Sequence, residues 1–393
     1  MSVSVSKRMA RVKPSPTNAV VALAAELKAA GRNIINLGAG EPDFPTPAHI
    51  REAGISAIET GKTRYTPIDG TMELKLAIQK KFSRDNALHY EPAEILVSSG
   101  AKQTCFNACL ASLGAGDEAI VPAPYWVSYP DMVRLADAEP VVIDTDIGSG
   151  FRISPQQLRS AITPRTRLLF LNSPSNPTGA CYSRRQLAEL GKILADHPRI
   201  VIASDEIYEH IYWADEPFAS FAEACPQLYE RTITINGVSK CYAMTGWRIG
   251  YAGGPRALIA AMHTLQSQST SNPCSISQAA AAAAINGDQT CVADMTTAYR
   301  ERHDHIVAAL NEIPGFECRA SEGAFYAFPR ITGVLEQRRL ANDAELVAFL
   351  LNEADVATVP GSAFGAPGYI RISFACSLDT LREAIHRIRK ALS

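Results

Sequence analysis

Between residues 95 and 235 the chain repeats one pattern: a short apolar or β-branched run, a loop of small and polar residues, then a stretch with apolar positions three and four apart. Runs at 95–98, 118–122, 140–144, 168–171, 200–203 and 232–235 read as strands, and stretches from 101 toward Leu113, 155–161 and 183–195 as helices. Repeated strand-loop-helix units predict an α/β fold with a mostly parallel central sheet covered by helices on both faces. Right-handed crossovers would gather the loops after the strands on one edge. Before this block, an Ala/Leu/Val helix that Thr17 or Asn18 would cap ends at Gly31. A short strand in I-I-N-L, a Gly/Pro loop and a helix at 48–60 follow. After residue 251 come a helix at 255–267, an alanine-rich run at 278–285 and a helical pattern at 289–312 long enough to link two domains. Beyond Pro314, short strands such as G-A-F-Y-A-F-P and Y-I-R-I-S-F-A, with helices at 342–353 and 378–391, predict a smaller α+β domain completed by the N-terminal segment. The expected division is 1–47 as N-terminal arm and part of the small domain, 48–288 as large domain, and 289–393 as linking helix and small domain.

Composition narrows the function. With 47% hydrophobic and 20% charged residues the 393-residue chain can bury a large core. A net charge of −2 without a dense basic block gives nucleic acid or an anionic membrane nothing to hold. The nine cysteines are scattered singly without C-x-x-C spacing, and read as reduced thiols rather than a disulfide frame or a zinc site. No export-type apolar segment opens the chain and no run approaches membrane-spanning length, so the expectation is a cytoplasmic protein. His303 and His305 sit in a charged helical pattern that reads as a solvated face, and no metal is expected.

Candidate chemistry centres on Lys240, in N-G-V-S-K-C-Y-A-M-T-G-W-R-I-G-Y at 236–251, with Arg248 eight residues later. Alone, such a lysine is a solvated loop cation. The upstream loops, however, hold what a lysine in Schiff-base linkage to pyridoxal phosphate needs. Asp205 follows the run 200–203, where a parallel strand would end and a ligand crevice open. Tyr208 lies three residues on, and Asn176 stands in N-S-P-S-N-P-T-G. Gly100, Ala101 and Lys102 join a strand to a helix N-terminus, a ready anion site, although by itself an ordinary turn would look the same. It lacks the nucleotide-binding pattern G-x-x-x-x-G-K-[ST]. Trp126, in A-P-Y-W-V-S-Y-P, offers a flat indole that would otherwise fill core. Gly38 and Gly40 run into Glu41-Pro42 rather than a glycine-led helix, so they are not a dinucleotide loop, yet glycine lets a backbone approach a substrate closely. Arg371 in Y-I-R-I-S-F is either an exposed strand cation or a planar fork for a carboxylate.

In order and spacing, S-P-S-N-P-T-G, S-D-E-I-Y, S-K-x-Y-A-M-T-G-W-R-I-G-Y and the late R-I-S-F resemble the fold-type I aminotransferases dependent on pyridoxal phosphate, especially the bacterial aspartate aminotransferases. The resemblance runs from K-P-S-P-T near residue 13 to the C-terminal helix. It implies that Lys240 holds the cofactor and then moves the α-proton, that Asp205 keeps the pyridine nitrogen protonated, and that Tyr208 and Asn176 bond the phenolic oxygen. Arg248, Ser239 and the backbone of Gly100, Ala101 and Lys102 would take the phosphate, and Trp126 the ring face. Arg371, Gly40, Trp126 and Asn176 would bind the substrate, while Tyr65 would reach the phosphate of a neighbouring subunit, making a homodimer with shared sites. Between 266 and 272 only Gln, Ser, Thr and Asn stand where some branches carry an arginine for a distal carboxylate, leaving Lys102 and Lys13 as candidates. The expected reaction is amino exchange between L-aspartate and 2-oxoglutarate. Alternatives are an aromatic or prephenate aminotransferase, a pyridoxal-phosphate lyase, or a non-catalytic cofactor-sensing domain. The last would need a DNA-binding segment, and none precedes residue 13.

Overall fold

Residues 3–14 and 16–393 are described by the computed structural model. From the N-terminus, α1 (Pro16–Ala29), β1 (Ile35–Asn36), α2 (Ala48–Glu59) and α3 (Met72–Asn86) precede the main sheet. There follow β2 (Ile95–Ser98), α4 (Ala101–Ser112), β3 (Glu118–Ala123), α5 (Tyr129–Leu135), β4 (Glu139–Asp144), α6 (Pro155–Ala161) and β5 (Thr166–Asn172). Next come α7 (Arg184–Ala195), β6 (Val201–Asp205), α8 (Phe221–Ala224), β7 (Thr232–Gly237), β8 (Gly250–Gly253), α9 (Arg256–Ser267), α10 (Ser275–Asn286) and α11 (Thr290–Asn311). The remainder comprises β9 (Tyr326–Ala327), α12 (Thr332–Arg338), α13 (Asp343–Glu353), β10 (Val356–Ala357), β11 (Val359–Pro360), β12 (Ile370–Ser373) and α14 (Leu378–Leu392).

The main sheet has strand order β2-β8-β7-β6-β5-β3-β4. β8 alone runs against its neighbours, because the chain turns straight back from β7 instead of crossing over through a helix. Both faces are covered. Leu168 and Phe170 pack with Cys105, Met132 and Met262 of α4, α5 and α9, while Leu169 and Leu171 pack with Leu187, Leu190 and Leu194 of α7. That alternation explains why the strands read as continuous apolar runs. The C-terminal ends of β2, β5, β6 and β7 therefore deliver their loops to one edge.

The smaller α+β part draws on both chain ends. β1 pairs in parallel with β10, and β11, β12 and β9 form an antiparallel sheet. Its core runs from Tyr299 and Ile306 on α11 to Leu381 and Ile385 on α14. Among the described residues no helix is long and apolar enough to cross a membrane.

Besides the short helices α5 and α12, which were not expected, three features differ from expectation. α3 was not legible because Met72, Leu74, Leu76 and Ile78 alternate, masking a helix that buries Leu74, Ala77, Ile78 and Phe82. Thr71 starts it, accepting from Leu74 N at 3.3 Å. α1 begins at Pro16, whose fixed φ suits a first turn, so Thr17 lies inside the helix rather than capping it. The capping position, residue 15, is outside the described residues. Finally, His303 is not on a solvated face: it follows Met295 and Tyr299 on the inward stripe of α11, and its Nε2 accepts from Ser321 N at 2.9 Å.

Candidate active site

The turn between β7 and β8 carries Lys240 and holds two non-glycine residues at positive φ, Ala243 (50°) and Arg248 (57°). Such conformations persist only where surrounding structure imposes them, and they cluster at functional sites. Lys240 Nζ donates to Gly40 O at 2.5 Å and lies 5.8 Å from the Tyr208 ring centroid. Burial, reinforced by the charge of Arg371, lowers its pKa to about 8. Neutral amine is the nucleophilic form, so half of it is available at about pH 8 and about a tenth at pH 7. Reductive trapping of a small aromatic aldehyde on Lys240, followed by mass spectrometry of the peptide, should accordingly rise with pH to a half-point near about pH 8. A half-point near the ordinary 10.5 would contradict the buried environment.

Asp205 ends β6 at the floor of the same cavity, whose volume is about 530 Å³. Its Oδ2 accepts from Tyr129 OH at 2.6 Å and its Oδ1 from Ile207 N at 3.2 Å. Burial raises its pKa, and the Tyr129 bond is the foremost opposing cause. Tyr208 and Tyr326 share a hydroxyl hydrogen bond of 2.9 Å. Arg371 is 1% exposed; Nη1 donates to Asn176 Oδ1 at 3.0 Å and Nη2 to Gly38 O at 2.7 Å. The rings of Tyr326 and Phe364 lie 4.6 and 5.0 Å from its central carbon. Nε has no partner and no carboxylate stands within ion-pair reach among the described residues. A buried guanidinium left without an anion is costly unless a ligand supplies one.

A second positive corner lies at the start of α4. Gly100, at φ 89°, has no room for a side chain, because a Cβ would collide with the Arg248 guanidinium. A Cβ on Gly250 would fall on the backbone N of Ala101, so glycine on β8 lets the helix start approach the sheet. The first-turn N–H groups of Ala101 and Lys102 lack intrahelical acceptors. Arg248 is steered by bonds to Thr245 O at 3.0 Å and Ser99 O at 3.4 Å. Lys102 Nζ stands 5.0 Å over the Trp126 ring, its pKa lowered by burial and then by Arg248. Two cations facing one another at a helix N-terminus call for an anion.

This donor set fits pyridoxal phosphate: a positive corner for the phosphate, a flat indole beside it, a buried carboxylate for a ring nitrogen, an amine for the aldehyde, and an orphaned Arg371 Nε for a substrate carboxylate. Gly40, Ala101, Lys102, Trp126, Asn176, Asp205, Tyr208, Ser239, Lys240, Arg248 and Arg371 all line the cavity. Lys13 is exposed and does not reach the wall; Thr17 and Val21 of α1 line it instead. Tyr65 is 92% exposed and also outside the cavity of this chain. Sequence reasoning missed Tyr129 and Tyr326; the i+3 spacing from Trp126 was the available signal for the first. Asp85, Glu209 and His210 also converge, but Lys81 and Asn86 already bond Glu209, leaving a metal little to take.

The profile of class I and II aminotransferases matches residues 32–388. The chain is 55% identical over 397 residues to the aspartate/prephenate aminotransferase of Nitrosomonas europaea, covering 100% of both. It is 50% identical over 391 residues to the aspartate aminotransferase of Rhizobium meliloti strain 1021, covering 98% of this chain and 95% of the other. The crystal structure of the Rhizobium meliloti aspartate aminotransferase superposes with a TM-score of 0.95 at 48% identity, covering 100% of this chain and 99% of that one. The Thermus thermophilus aspartate aminotransferase with maleate gives 0.94 at 41% identity, covering 99% and 100%.

Proposed function

The chain belongs to the class I and II aminotransferases, and from that premise we propose that it converts L-aspartate and 2-oxoglutarate to oxaloacetate and L-glutamate in two half-reactions. It is a transaminase of the fold-type I group, whose cofactor is pyridoxal phosphate. The observation that carries the reading is one cavity in which an amine of lowered pKa stands with a buried carboxylate and an unpaired buried arginine.

When bound, the cofactor supplies a carbonyl that takes up the amino group and an electron-poor ring that holds the electron pair released at Cα. Lys240 would hold the cofactor through its amine, and its Nζ, when free, would take the α-proton of the amino acid as base and give it back as acid. Asp205 keeps a proton on the ring nitrogen, a preorganised charge that stabilises the transition state. Tyr208 and Asn176 bond the phenolic oxygen. Arg248, Ser239 and the Gly100–Lys102 backbone would hold the phosphate, and Trp126 would offer its indole to the ring. Arg371 takes the substrate α-carboxylate, its plane fixed by Asn176 and Gly38, and Gly40 leaves room beside it.

For the distal carboxylate the support favours Lys102, which lines the cavity where Lys13 does not. Lys102→Ala is expected to lower kcat/KM for L-aspartate by about ten- to a hundredfold, as for a lost charged hydrogen bond, while L-phenylalanine changes little. Equal losses on both donors would overturn the assignment. Prephenate as an alternative amino acceptor is favoured by the relatives named aspartate/prephenate aminotransferase and by the apolar Val21 and Val127 in the wall. The proposal extends to a cytoplasmic homodimer in which Tyr65 completes the partner's phosphate site. Its 92% exposure, with that of Ile55, Ile58 and Met72 close to it in sequence, supports a covered surface there. The proposed domain boundaries remain 1–47, 48–288 and 289–393.

A further inference from the structure

Two groups that none of these steps uses meet at the cavity floor. The Tyr129 hydroxyl, on the first residue of α5, donates to Asp205 Oδ2 at 2.6 Å, and Cys105 Sγ on α4 lies 3.8 Å from the same oxygen. Neither hydroxyl nor ring is free to swing away. The ring stacks on Phe170, with centroids 4.4 Å apart and planes 16° apart, and meets Trp126 edge-on at 5.3 Å. α4 thus frames the phosphate corner, through Ala101 and Lys102, and together with α5 grips the carboxylate.

We infer that Tyr129, assisted by Cys105, is a positioning residue for transamination: its hydroxyl keeps Asp205 a carboxylate, available to a protonated ring nitrogen. This rests on the reading that Asp205 partners that nitrogen. A donor to a carboxylate favours its charged form, whereas burial favours the neutral acid. The titratable groups facing Asp205 are Tyr129, Cys105, Tyr208 and Lys240. Lys240 is the cation among them. Burial holds the Tyr129 hydroxyl and the Cys105 thiol well above their ordinary pKa values, so both remain protonated donors through the neutral range. Removing the Tyr129 donor leaves burial less opposed. Asp205 then binds its proton more tightly, and a proton shared with the ring nitrogen moves toward the carboxylate.

The test is the pH titration of the pyridine 15N signal in holoenzyme reconstituted with 15N-labelled cofactor, together with the cofactor dissociation constant. Tyr129→Phe keeps the ring and its stacking but not the donor. It should lower the apparent nitrogen pKa by about one unit and weaken cofactor retention about tenfold, with a smaller shift for Cys105→Ala. Should Tyr129→Phe fail to fold, 3,5-difluorotyrosine at position 129, a stronger donor of nearly the same shape, should move the nitrogen pKa upward. Asp205→Asn separates the two readings. If it abolishes the protonated-nitrogen signal while Tyr129→Phe titrates like the parent, Asp205 keeps its role and this inference fails. If Asp205→Asn itself leaves the signal unchanged, the Asp205 assignment falls and takes the inference with it.

Discussion

Lys240→Ala is expected to lower kcat for amino exchange by on the order of 10⁴-fold, because one side chain serves as covalent anchor, base and acid. The loss should fall on kcat more than on KM, since Arg371 and the phosphate corner bind independently of the lysine. The measurement is single-turnover loss of L-aspartate on protein reconstituted with pyridoxal phosphate. Added methylamine should restore part of the rate, as an external amine can occupy the truncated space. Parent-like turnover in the alanine variant would remove Lys240 from the chemistry.

Arg371→Ala is expected to cost about 10²- to 10³-fold in kcat/KM for L-aspartate, the scale for removing one partner of a buried charged pair. Arg371→Lys should recover only part of it, since an ammonium keeps the charge but not the planar fork that Asn176 and Gly38 orient. An amine lacking the α-carboxylate should react equally with parent and variant. If the alanine variant lost as much on that amine as on aspartate, Arg371 would be acting through folding rather than carboxylate recognition.

The parts of this site that the sequence made legible are those fixed by local chain order. Asp205, Asn176 and the Gly100–Lys102 start each follow an apolar run, and a parallel strand must release its chain at one edge. Arg371 was ambiguous because its side depends on register. Pairing of Arg371 with Val359 and of Ile372 with Ala327 closes β12 between two strands and buries it. Tyr326 had no local signal at all, since its hydroxyl meets Tyr208 across 118 residues of sequence. Tyr129 was hidden by a helix only seven residues long. Lys13, singled out for its charge, stands outside the cavity lining of this chain, where α1 presents Thr17 and Val21. His303 shows the same limit in reverse: charged neighbours suggested solvent, but helical period placed it against Trp213, with centroids 5.1 Å apart.

The most direct test is the visible absorbance of the protein reconstituted with pyridoxal phosphate, followed through addition of L-aspartate and then 2-oxoglutarate. The account predicts a band that requires Lys240, falls with aspartate and returns with the keto acid, with one oxaloacetate and one glutamate formed per site. A band that ignores aspartate and answers only L-phenylalanine would contradict the proposed substrate, and no band at all would contradict the reading of Lys240.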